Sequence, residues 1–340
     1  MTRFIEPGAR VLVTGASGLL GRSVAQRLVA EGYFVTVLQR RASALDGVRE
    51  IRGSLADPAA VARATQDQDA VIHMAAKVSV SGAHEDFLEV NVRGTQRLLD
   101  AAQSSGVTDF LHVSSPSVAH AGVSLVGAGA SQADPRGAVG SYAQTKARAE
   151  LIAEARGASG LNVLVLRPHL VWGPGDGQLT SRIIERARSG RMPILGSGAA
   201  LVDTLYIDNA VDAFLAGLRR LPQIAGQRLV LTNGEPRPIG ELITGIAAAG
   251  GAPAPRLRLT PGLAKGAGAV VERLWGLSER IAGPRADEPP MTKFLAEQLS
   301  TAHWFDQRTT QQALDWTPRV SIDEGLERLR EHIQFTGSVL

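Results

Sequence analysis

Cysteine is absent from the 340 residues, which excludes disulfides, thiolate metal sites and a cysteine nucleophile and is compatible with a reducing compartment. Lysine is nearly absent too. Only four are present against many arginines, so the sequence pI of 9.6 overstates a formal net charge of just +3. The arginines are scattered among acids, as at Arg63, Arg93, Arg148, Arg186 and Arg219, without a basic stripe or tail, and nucleic-acid binding is not expected. No run of about 18 apolar residues occurs, so no membrane span is expected. The N-terminus passes from Met1 to Arg10 straight into Val11-Leu12-Val13, which leaves no room for a secretory leader. A cytoplasmic protein is the expectation. What remains is an ordinary globular balance of 44% hydrophobic and 20% charged residues, in a chain long enough for one large α/β domain or two lobes.

Short β-branched runs alternate with helical stretches through the first hundred and seventy residues, the pattern of βαβ units and a parallel sheet. Strands are expected at Arg10–Thr14, Phe34–Gln39, Val48–Ile51, Ala70–His73, Phe110–Ser114 and Asn162–Leu166. Helices are expected at Leu19–Ala30, Phe87–Ala102 and Tyr142–Ala155, where apolar residues recur at three and four. After Pro168 the chain turns to glycine- and proline-rich phrases such as Gly173-Pro174-Gly175. The fold class is therefore α/β: a Rossmann-type, doubly wound parallel sheet with a smaller, mixed C-terminal substrate lobe. Residues 1–177 form the nucleotide-binding part, with 206–235 returning to it through a helix at Asp208–Leu218 and a strand at Arg228–Thr232. Residues 178–205 and 236–340 form the lobe. The Ala/Gly/Pro stretch Ala247–Pro255 reads as a linker.

The first strand runs into Thr14-Gly15-Ala16-Ser17-Gly18-Leu19-Leu20-Gly21. Glycines at 15, 18 and 21 let the backbone turn sharply, approach a pyrophosphate and pack a helix on the sheet, while the helix N-terminus offers N–H groups. The context, a strand before and an amphipathic helix after, is the one that dinucleotide binding requires. At the end of the second strand stand Arg40 and Arg41, with no acid for a ribose 2′-hydroxyl. Arginines there suit the 2′-phosphate of NADP, so NADP(H) is favoured over NAD(H), unless both are merely solvated. Further on, Tyr142 and Lys146 lie four residues apart, on one helix face. A nearby ammonium is expected to pull the tyrosine pKa down from about 10 toward the working pH. Such a phenol exchanges a proton with a substrate oxygen; by spacing alone it reads equally as a surface tyrosine beside a solvated lysine.

Together with His73-Met74-Ala75-Ala76, Asn91-Val92-Arg93-Gly94-Thr95, Ser114-Ser115 and Arg167-Pro168 through Gly173-Pro174-Gly175, these motifs occur in one family's order. The chain resembles an extended short-chain dehydrogenase/reductase over nearly its whole length. By that resemblance Ser115 polarises a substrate carbonyl, Tyr142 donates the proton, and Lys146 binds the nicotinamide ribose and lowers the Tyr142 pKa. Ser115 is preferred to Ser114 because it matches the family's serine in the phrase that ends Pro116-Ser117-Val118; otherwise the two serines only close a strand. The resemblance also implies cofactor contacts from Gly15, Ser17, Gly18, Leu20, Gly21, Arg40, Arg41, Ser54, Leu55, Ala75, Ala76, Asn91, Tyr142, Lys146, Pro168 and Leu170. One departure is Ser54, where the family usually carries an aspartate that contacts the adenine. A homodimer through the helices holding Asn91 and Tyr142 is common in that family.

The phrases Arg167 to Asp176, Val202 to Asn209 and Phe294 to Leu299 resemble the 3β-hydroxysteroid dehydrogenase-related branch. More closely, they are similar to the 2-alkyl-3-oxoalkanoate reductases of bacterial long-chain olefin and β-lactone biosynthesis. That resemblance implies reduction, by NADPH, of the 3-keto group of a long-chain 2-alkyl-3-oxo acid. Steroid or sterol-carboxylate dehydrogenases, nucleotide-sugar epimerases and a non-catalytic NADP sensor are the competing readings. From the residues, 263–281 place an apolar stripe on one helical face, which would wall an acyl channel, lie on a membrane surface or partner enzyme, or pack in the core. Lys77, at the carboxyl edge of the sheet, is a candidate for the substrate carboxylate, as is His169; each has an ordinary structural reading as well. The histidines show no metal-ligand spacing, so no metal is expected.

Overall fold

The computed structural model describes residues 3–79, 82–120, 122–260 and 300–339, together with 262, 263, 266 and 268. The chain begins β1 (Arg10–Thr14), α1 (Leu19–Ala30), β2 (Phe34–Gln39), β3 (Val48–Arg52), α2 (Pro58–Thr65) and β4 (Ala70–His73). There follow α3 (His84–Phe87), a π-helical turn (Leu88–Arg93), α4 (Gly94–Ser104), β5 (Asp109–Val113), β6 (Leu125–Ala128) and α5 (Gly140–Ala155). Next come β7 (Asn162–Pro168), β8 (Val171–Trp172), α6 (Thr180–Arg188), β9 (Pro193–Leu195), β10 (Leu201–Val202) and β11 (Leu205–Tyr206). After α7 (Ile207–Ile224), β12 (Arg228–Leu231), β13 (Arg237–Pro238), α8 (Ile239–Ala249), β14 (Leu257–Leu259) and β15 (His303–Phe305), helices Arg308–Leu314 and Ile322–Thr336 complete the described chain.

Seven of these strands form one sheet in the order β12-β7-β5-β4-β1-β2-β3, with every pairing parallel. The chain reverses its direction of travel across the sheet between β1 and β4, which opens a crevice at their carboxyl ends. Along β1, Val11 and Val13 join the core that holds Val24 and Leu28 of α1 and Phe214 and Leu218 of α7. Leu12 points the other way, into the cluster with Val61 of α2 and Leu98 and Leu99 of α4. Alternation of side chains along a strand thus feeds two helical layers, which is why β1, β4 and β5 are buried on both faces. This is the Rossmann-type α/β fold expected.

β12 pairs with β7 from Arg228↔Val165 to Leu231↔Pro168, and α7 packs on α1. β6, which precedes β7, joins β10, β13 and β15 in a smaller mixed sheet, β13-β10-β15-β6, outside the main one. Two expectations change. The helix expected over Phe87–Ala102 is interrupted by the π turn at Leu88–Arg93. The linker expected at Ala247–Pro255 begins inside α8, where Ala247 and Ala249 are buried with Ile243 and Ile246, because alanine beside an apolar stripe propagates a helix. The apolar stripe of 263–281 and the phrase Phe294 to Leu299 lie almost wholly outside the described residues. No helix among the described residues is long and apolar enough to cross a membrane.

Candidate active site

At the end of β1, the glycines meet different demands. Gly15 has φ +82, and a Cβ there would lie 2.7 Å from the Ala75 nitrogen; a Cβ on Gly21 would lie 2.3 Å from the Gly15 oxygen. These two are required by the protein's own packing. Gly18 is not: its backbone is extended (φ −87, ψ 160), and the nearest atom to an added Cβ is at 3.6 Å. A glycine that neither backbone angle nor packing needs, at the N-terminus of α1, keeps the approach open for a pyrophosphate. The crevice therefore fits a dinucleotide.

The other expected cofactor contacts surround this turn. Ser17 is exposed and Leu20 half-buried; Ala75 and Ala76 follow β4, Pro168 ends β7 and Leu170 follows it. Leu170 has φ +45, a left-handed conformation costly for a branched residue. Arg40 and Arg41 are exposed at the end of β2, and neither guanidinium makes an ion pair among the described residues. Ser54 accepts a hydrogen bond from the Ala56 N–H at 3.2 Å and shapes the turn into α2, beside the buried Leu55.

Beneath the crevice runs a buried polar chain. The Ala75 N–H donates to Thr14 Oγ1 (3.2 Å), and Thr14 Oγ1 lies 2.7 Å from His73 Nδ1. His73 Nε2 lies 2.9 Å from Thr95 Oγ1, whose hydroxyl donates to the Asn91 carbonyl at 2.6 Å. Because the Thr95 hydrogen is committed, His73 must donate from Nε2 and accept at Nδ1. It is the neutral imidazole, and burial pushes its pKa down to about 3. Asn91 then grips Lys77, accepting from its N–H (2.7 Å) and donating to its carbonyl (3.2 Å), and donates to Thr145 of α5 at 3.1 Å.

Ser115, Tyr142 and Lys146 converge beside the ends of β4 and β5. Ser115 caps the 3-10 turn Pro116–Ala119, and its Oγ accepts from the Ser117 N–H (3.3 Å) and hydroxyl (3.0 Å). Lys146 is buried and donates from Nζ to the Val113 carbonyl at 2.5 Å. Burial lowers its pKa to about 8 against the opposing pull of Glu150. Tyr142 is half-buried, and burial pushes the phenol up to about 12, partly offset by a hydrogen bond with Ser115. The expected lowering of the Tyr142 pKa by Lys146 is therefore not found. Desolvation dominates the phenol and only Ser115 opposes it, while the same burial disfavours the charge on Lys146.

Ser115 and Tyr142 open onto a cavity of about 610 Å³. Its walls are Leu179 and Ile183 at α6, Leu242, Ile243 and Ile246 of α8, Met192, Phe305, and Phe87 with Val78 on the near side. His169 also lines it. Its Nδ1 lies 2.6 Å from the Asp203 carbonyl, its ring packs edge-on to His303 at 4.9 Å, and burial holds its pKa near about 3. Lys77 is not part of the wall; its neighbours Val78 and Ser79 are, while its ammonium pairs with Asp86 at 2.6 Å and stands over the Phe87 ring. Sequence reasoning did not foresee Arg182, Arg186, His120 or His303 here, nor α8. They come from separated segments, and the one legible signal was the four-residue spacing of Arg182 and Arg186 on α6. Among the described residues no group of three histidines and carboxylates could hold a metal ion.

Comparison with known proteins agrees with this architecture. The family model described as the NAD dependent epimerase/dehydratase family matches residues 11–230. The 2-alkyl-3-oxoalkanoate reductase of Stenotrophomonas maltophilia is 40% identical over 94% of this chain and 98% of its own length. That of Shewanella oneidensis is 34% identical over 95% and 86%. Among solved structures, UDP-glucuronic acid 4-epimerase from Bacillus cereus in complex with NAD superposes with a TM-score of 0.73 over 97% of this chain and 100% of its own. At 21% identity that likeness speaks for the fold alone. A glycine turn shaped for a pyrophosphate, a parallel sheet reversed at β1 and β4, and a family match over most of the chain lead to one assignment: the chain belongs to the NAD dependent epimerase/dehydratase family, within the extended short-chain dehydrogenases/reductases.

Proposed function

We propose that this protein is an NADP(H)-dependent ketoreductase that converts the 3-keto group of a 2-alkyl-3-oxo fatty acid to the 2-alkyl-3-hydroxy acid. The observation that carries the reading is the cavity: a largely hydrocarbon wall of about 610 Å³ that ends at Ser115 and Tyr142. Such a space suits alkyl chains beside a ketone. The relatives named 2-alkyl-3-oxoalkanoate reductase, at 40% and 34% identity over nearly the whole chain, support the same substrate class. Arg40 and Arg41, exposed at the end of β2, support the 2′-phosphorylated cofactor. In this reading, residues 1–177 with 206–235 hold the cofactor, and 178–205 with 236–340 face the substrate.

When bound, the reduced nicotinamide supplies the hydride. Tyr142 and Ser115 act on the oxygen. Ser115 donates a hydrogen bond to the carbonyl and keeps it within reach of the phenol, while Tyr142 delivers the proton that the new alkoxide takes up. A phenol raised to about 12 is protonated before reaction and is still a stronger acid than the alcohol that forms, so the proton passes downhill to the alkoxide. Lys146, held by the Val113 carbonyl one helical turn from Tyr142, offers its ammonium to the nicotinamide ribose and so positions the cofactor. Apolar side chains of α6 and α8 exclude water from the reacting carbon.

Purified protein should be offered NADPH or NADH with 2-alkyl-3-keto acids, ketosteroids and nucleotide sugars in turn, following cofactor absorbance. Turnover of the keto acids with preference for NADPH is expected. Turnover of ketosteroids alone would move the substrate assignment, and oxidation with none of the three would sink the reductase reading.

A further inference from the structure

A carboxylate brought into this cavity needs a cation, because transferring an unpaired charge from water to an apolar wall costs several kcal/mol. The two groups that chemistry nominates first do not supply one. The Lys77 ammonium is directed at Asp86 and lies off the wall. His169 is neutral, and because the Asp203 carbonyl can only accept, its hydrogen is on Nδ1. Its Nε2 therefore presents a lone pair, which repels an anion.

The wall does carry charge elsewhere. Arg182 and Arg186 both line the cavity, one helical turn apart on α6, while Ile183, Ile184 and Ala187 of the same helix are buried in the core. Both arginines are half-buried. Among the described residues of the wall, no other lysine or arginine contributes, and no aspartate or glutamate does. Both guanidinium groups open onto a space walled by leucines and isoleucines, where their attraction for an anion is screened less than in water. Each has five N–H donors in a fixed plane, enough to seat a carboxylate beside its other contacts.

Resting on the proposed reductase activity, we infer that Arg182 and Arg186 bind the substrate's carboxylate and make the enzyme select a free keto acid over its neutral esters. They are positioning residues. Anchoring the carboxyl group, two bonds from the keto carbon, fixes which face of that carbon is presented and directs the alkyl chains toward α8.

The test is binding, not turnover. The intact protein is titrated by calorimetry with a long-chain 2-alkyl-3-hydroxy acid and with its methyl ester. The acid is expected to bind at least about tenfold more tightly, the ratio that one charge-assisted hydrogen-bond pair provides. In Arg182→Gln/Arg186→Gln that preference should collapse with ester affinity unchanged, while Arg182→Lys/Arg186→Lys, which keeps the charge should the first variant not fold, should retain part of it. Equal affinity of the native protein for acid and ester overturns the inference. So does a preference that survives in the glutamine variant. Preferential acid binding without reduction of the keto acid would instead sink the reductase reading alone.

Discussion

At the scale of single residues, the site is governed by desolvation. Burial moves Tyr142 and Lys146 in opposite directions, to about 12 and about 8, since each is pushed toward its neutral form. Tyr142→Phe removes the proton donor and nothing of the fold. It is expected to lower kcat by about 100-fold to 10,000-fold with cofactor affinity retained, and full activity in that variant would refute the role. Lys146 has a consequence for stability. Its folded pKa is depressed, so between about pH 8 and 10.5 the unfolded chain binds the extra proton and stability rises with pH through that window. Below it, the buried ammonium costs on the order of 3 kcal/mol. Lys146→Met should abolish turnover, flatten this rise in a pH series of melting temperatures and raise Tm at pH 7. A marked fall in Tm would show that the Val113 hydrogen bond outweighs burial. The same titration predicts that activity declines above about pH 8, as the ammonium is lost.

At the scale of elements, α5 must be held against β7, because one helix carries both Tyr142 and Lys146. Part of that attachment is a fully buried ion pair: Arg167 of β7 meets Glu150 of α5 through Nε–Oε2 at 3.0 Å and a second N–H at 2.5 Å. Two charges with 1% and 0% exposure repay their desolvation only while both are present. Glu150→Ala is therefore expected to destabilise the protein by about 3–5 kcal/mol, whereas Arg167→Met/Glu150→Leu should cost far less. Denaturant melts of the two variants would decide this, and equal losses would refute the argument. The π turn at Leu88–Arg93 belongs to the same attachment. It carries Asn91, whose side chain joins the loop after β4 to Thr145 of α5, a use of irregular helix that recurs at functional sites.

For the molecule as a whole, acid is the weakness. His73, His112 and His169 are buried and held neutral, two of them with pKa near about 3 and His112 well below its ordinary range. Each must gain a proton on unfolding below about pH 6.5, so stability falls as pH falls. Asp203 opposes this, since burial raises it to about 6 and it releases the proton on unfolding. The net uptake between pH 5 and 6 should be on the order of two protons, measurable as the slope of unfolding free energy against pH. A flat slope across that range would contradict neutral burial of the three rings.

Strands β1, β2 and β4 and helix α1 end at the residues that hydrophobic periodicity and glycine placement dictate, because their boundaries are set by local contacts and by turns only a few residues long. Tyr142 and Lys146 were legible as a pair because they lie within one helix turn, whereas Ser115 was legible only through the family resemblance of the phrase that ends Pro116-Ser117-Val118. The cavity was not legible. Its wall is drawn from α6, α8, β15 and the loops after β4, β5 and β7, segments running from Val78 to Phe305, and an apolar stripe looks the same whether it faces a core or a ligand. Tertiary structure also reversed the Tyr142 pKa, since spacing reports that a cation is near but not how far both groups lie from water. The amino-acid order by itself determined the dinucleotide fold and nominated Ser115, Tyr142 and Lys146; only the packing of distant segments decided which side chains wall the cavity beside them, because residues far apart in sequence meet there.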